Sequence, residues 1–92
     1  MNEVVQDKSF STRDLTLAAV LVTLRFYMVG VDYQVEWQKN QPVGYFKFIN
    51  TTELQEAKQK YNQGLLAVEP KAFMTNVHWL KAEVINAINQ EI

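Results

Sequence analysis

From Leu15 to Leu24 every position except Thr16 and Thr23 is apolar. Leu15, Ala18, Ala19 and Val22 recur at helical spacing, and Leu17, Leu21 and Leu24 widen the stripe until little of the helix surface is polar. The run is about half of the ~20 residues needed to cross a bilayer. It therefore predicts a central core helix and no membrane span. Its start lies in the stretch SFSTRD: Ser11 is placed as the N-cap, Asp14 as the acidic partner at the third helical position, and Phe10 with Leu15 as a hydrophobic staple.

Beyond Val29 the period changes to two. Val29, Val31, Tyr33, Val35 and Trp37 alternate with Gly30, Asp32, Gln34, Glu36 and Gln38, which is the pattern of a strand with one wet face. KNQPVG, residues 39–44, has loop chemistry, and Tyr45 to Ile49 resumes as a second strand with Phe46 and Phe48 on one face and Lys47 on the other. Together they predict a β-hairpin over residues 28–49. Ile49, Asn50, Glu53 and Leu54 then repeat the offsets of Phe10, Ser11, Asp14 and Leu15, so a second helix is expected with Asn50 as its cap. Its narrow inward face is Leu54, Ala57 and Tyr61, and Gly64 ends it.

Leu65 to Val68 is read as a short third strand. Glu69 and Pro70 open a last helix, proline losing nothing in the first turn, and Phe73, Val77, Leu80, Val84 and Ala87 or Ile88 draw an apolar stripe along it. The order α-β-β-α-(β)-α predicts an α+β fold: a mainly antiparallel sheet of two or three strands with helices packed on one face. Residues 1–8 are expected to be a flexible terminus and residues 9–92 a single domain, because a chain of 92 residues divided into two lobes would have too little core in either.

Composition supports a folded chain, with 48% hydrophobic and 12% aromatic residues, far from the signature of disorder. Nine basic residues against ten acidic ones leave a formal net charge of −1, and the basic residues are dispersed, so no global field recruits polyanions. A chain without cysteine has neither disulfide framework nor thiolate chemistry, and its N-terminus lacks the basic and apolar regions of a secretory signal. Cytoplasmic localisation is the expectation.

Reactive constellations are missing from the pattern. His78 is the one histidine and has no ligand partner at suitable spacing, so no metal or cofactor is expected. Ser9 and Ser11 precede a helix without a nucleophile elbow, Glu53 and Glu56 read as solvated helix surface, and three scattered glycines cannot cradle a phosphate. No enzyme is expected. VGYFKFIN, residues 43–50, has the aromatic alternation with which RNA-recognition motifs stack bases. It lacks the leading basic residue, has Phe46 where a small residue belongs, and follows no β-α-β start, so Phe46 and Phe48 are assigned to the core.

Trp79 is the residue left over. It projects well off the stripe of the last helix, on the side of Asn76 and Glu83, and these three form the candidate protein interface. The alternative is a nucleic-acid accessory surface made of Lys39, Tyr45 and Lys47 on the outer face of the hairpin.

The run F-S-T-R-D-L-T-L-A-A-V-L, Phe10 to Leu21, resembles the opening motif of a family of small bacterial and phage-associated domains of unknown function. That family continues with a hairpin, a helix ending in a Y-N-x-G-like element, here Tyr61, Asn62 and Gly64, and a V-x-P segment, here Val68, Glu69 and Pro70, before a last helix. The resemblance covers residues 9 to about 88 and implies one domain of bacterial or mobile-element origin. It carries over no activity. The expected function is thus a noncatalytic interaction domain that binds another protein or self-associates, with nucleic acid as the less favoured partner and no membrane.

Overall fold

The computed structural model describes residues 4–36 and 41–90. Its element order is β1 (Val4–Thr12), α1 (Leu15–Thr23), β2 (Met28–Glu36), β3 (Gln41–Thr51), α2 (Thr52–Asn62) and α3 (Pro70–Gln90). The α+β expectation holds, with a three-stranded sheet in the order β1-β3-β2 and both neighbours antiparallel to β3. The third strand, however, is not Leu65 to Val68, which carries no regular structure; it is β1. Residues 4–8, expected to be a free terminus, thus belong to a strand.

β1 and β2 both run opposite to β3, so they are parallel to each other with β3 inserted between them. This makes β1-α1-β2 a split β-α-β unit. Direct partners across an antiparallel ladder share a face. Phe10 and Met28 pair with Phe48 from the two sides, and Thr12 and Val31 pair with Phe46, which defines the inner face. Phe46, Phe48, Leu17, Leu21, Leu54 and Leu80 meet in one core beneath the three helices.

The pairing also revises the strand and cap expectations. The register shifts between Met28 and Gly30, and the bulged Val29 is 56% exposed, while Met28 turns inward with Val31. Strict alternation had placed Val29 in phase with Val31. At α1 the N-cap is Asp14, whose Oδ1 accepts from the Leu17 N–H at 3.1 Å, and Ser11 remains in the strand opposite Lys47. At α2 the cap is Thr51, its hydroxyl accepting from the Leu54 N–H at 3.1 Å, and Asn50 is buried and bonded to Gln55.

Two helices close with the same device. After α2, Gly64 at φ 71° lets its N–H reach the Tyr61 carbonyl and the Leu65 N–H reach that of Lys60. After α1 the equivalent bonds run from Arg25 to Val22 and from Phe26 to Leu21, with Arg25 held at φ 72°. These are Schellman closures, the second without the glycine that usually serves. They return the chain sharply, α1 into β2 and α2 toward α3.

Candidate functional site

α3 begins where proline and Glu69 place it: the Glu69 carboxylate accepts from the Ala72 N–H, satisfying one donor that the helix start leaves open. Phe73, Val77 and Val84 pack against the core and Leu80 is fully buried, so the predicted stripe is the docking face from Phe73 to Val84; the side chains of Ala87 and Ile88 lie outside the described residues. Asn76, Trp79 and Glu83, at steps of three and four, share the flank beside it.

On that flank the three residues differ. The Asn76 amide donates to the Thr23 hydroxyl at 3.0 Å, and that hydroxyl donates to the Ala19 carbonyl at 2.6 Å. Asn76 is therefore spent on tying α3 to the end of α1. Glu83 is half-buried. Trp79 keeps 43% of its surface in water, a large aromatic left uncovered beside a rigid helix contact.

The alternative surface lies on the other side of the sheet. Tyr45 pairs with Asp32 and Lys47 with Gly30 and Ser11, placing Tyr45 and Lys47 on the outer face of the central strand. The Lys47 ammonium lies 2.5 Å from the Asp32 carboxylate, which offsets the charge that a phosphate would seek. Lys39 lies outside the described residues. One ground for assigning VGYFKFIN to the core falls, since a β-α-β start does precede it; Phe46 and Phe48 are nevertheless buried.

His78 is exposed, and among the described residues no cluster of three or more His, Asp or Glu side chains has metal-binding geometry. Ser11 is exposed on the outer edge strand, away from His78 on α3. Tyr61 donates to Asp14 Oδ2 at 3.2 Å. Burial, the Asp14 charge and this bond raise the Tyr61 phenol above its ordinary value, against an opposing bond with Thr16. The cause is structural, because Asp14 is already the cap of α1.

A further grouping had no local signal in the chain. Leu15 of α1, Val43 of β3 and Val84 with Ile85 of α3 line one groove, together with Arg13 and Lys81. They come from three separate segments, the start of α1, β3 and α3, and the packing of Val84 on Gly44 brings α3 against β3 there. Among the described residues no helix is long and apolar enough to cross a membrane. No family model matches the chain, and neither does any curated protein or solved structure.

Proposed function

We propose that this chain is a noncatalytic interaction domain that binds another protein, or a second copy of itself, through the α3 flank centred on Trp79. The observation that carries this reading is Trp79 itself, 43% exposed on a helix whose neighbouring face supplies the core. Tryptophan offers a large contact area with few rotamers to freeze, and such residues dominate the energetics of interfaces. The Asn76–Thr23 bond favours a preformed surface, and Glu83 supplies a polar rim. The resemblance of Phe10 to Leu21 to bacterial and phage-associated domains extends the reading to a protein of bacterial or mobile-element origin, and the cysteine-free composition favours a cytoplasmic one.

The test is size-exclusion chromatography with light scattering, followed by capture from a bacterial lysate. The expected result is an oligomer or a captured protein that Trp79→Ala abolishes while the variant remains cooperatively folded by circular dichroism, with some loss of thermal midpoint from the buried part of the ring. A monomer at every concentration that captures nothing would overturn it. A second reading, nucleic-acid binding on the outer sheet face, is favoured by Tyr45 and Lys47 on the central strand and weakened by the Asp32 pair. It requires binding that salt removes.

A further inference from the structure

The start of α1, the opening of β3 and the C-terminal half of α3 surround an open groove of about 400 Å³. That volume is in the range of small-ligand sites, roughly 300–1,000 Å³. Its walls are aliphatic, from Leu15, Val43, Val84 and Ile85, over the ring of Phe46. Ile85 is 57% exposed, so part of the wall is apolar surface left in water. This is a different region of α3 from Trp79, since six residues turn the helix by about 240°.

Among the described residues, Arg13 and Lys81 are the charged side chains that line it, and no acidic one lines it with them. Lys81 is exposed, has no ion-pair partner among the described residues, and stands one turn before Ile85 on the same side of the helix. We propose that the groove binds a small amphiphilic monoanion, an aliphatic chain ending in a single carboxylate. The chain covers Leu15, Val84 and Ile85, and the carboxylate meets the Lys81 ammonium at the rim. A cationic headgroup would face like charge there, and a neutral one would leave the attraction unused.

The test is an amide-resolved NMR titration of the whole chain with decanoate, decanol and decylammonium, each kept below its aggregation threshold. Saturable shifts confined to the groove are expected, with decanoate tightest and decylammonium weakest. Lys81→Glu, at an exposed position that leaves the thermal midpoint unchanged, should weaken decanoate about fivefold and favour decylammonium. Ile85→Ser should weaken decanoate and decanol together. Equal affinities for the three headgroups would overturn the anion assignment. Unsaturable shifts spread over Tyr27, Val29 and Leu65 would overturn the site.

Discussion

Gly44 sits on the inner face of β3, directly against Val84 of α3. A Cβ placed on it would lie 2.7 Å from Val84 Cγ2, 3.0 Å from Cγ1 and 3.4 Å from Cβ. Carbon atoms pack at about 3.5–4.0 Å, so the nearest contact is short by about 1 Å. Val84 cannot swing clear, because a β-branched side chain in a helix has one strongly preferred rotamer and both methyls already face the glycine. Gly44→Ala must therefore lift α3 from the sheet. Such overpacking costs about 1–3 kcal/mol, from which the reduced freedom of the unfolded chain recovers about 0.4–1 kcal/mol. The expected net loss is about 1–2 kcal/mol.

For a chain of this size each kcal/mol lowers the thermal midpoint by roughly 4–8 °C, and urea unfolding followed by circular dichroism would resolve the loss. The decisive comparison is with Val84→Ala. Alone it should destabilise by about 1.5 kcal/mol for the lost burial. Combined with Gly44→Ala it should cost less than the sum by about 1 kcal/mol or more, because the new methyl occupies the space vacated. Strict additivity, or a stable Gly44→Ala single variant, would refute the close approach of α3 to β3.

Arg25→Gly should stabilise the chain by about 1 kcal/mol, since glycine adopts the left-handed conformation at φ 72° without the penalty of a side chain; urea midpoints measure this, and no gain would mean the turn is not of Schellman type. Asp14→Asn should keep the α1 cap while returning Tyr61 toward its ordinary ionisation, read by near-ultraviolet titration of the phenolate. Because the folded-state value of Tyr61 is raised, its contribution is fully present below the unfolded value of about 10 and is lost as pH rises through the folded one, so Asp14→Asn should flatten the alkaline loss of stability. Thr23→Val and Asn76→Ala should each cost about 1 kcal/mol and couple in a double-mutant cycle, whereas independent effects would show that the α1–α3 bond does not form.

What the amino-acid order determined by itself was local. Pro70 and Glu69 open α3, Gly64 closes α2, and the steps from Phe73 to Val84 mark a buried stripe, because caps, turns and helical periodicity act over a few neighbouring residues. Alternation likewise placed Phe46 and Phe48 in the core. The tertiary structure decided what depended on pairing over long separations. Ser11 is a sound cap in isolation, but the pairing of β1 with β3 keeps residues through Thr12 extended and passes the cap to Asp14. Leu65 to Val68 is apolar enough for a strand, yet it pairs with neither edge of the sheet and serves as the connection from α2 to α3. The bulge at Val29 and the groove beside Gly44 follow from the same cause: each exists only where distant segments meet, and no short window of the chain contains both sides.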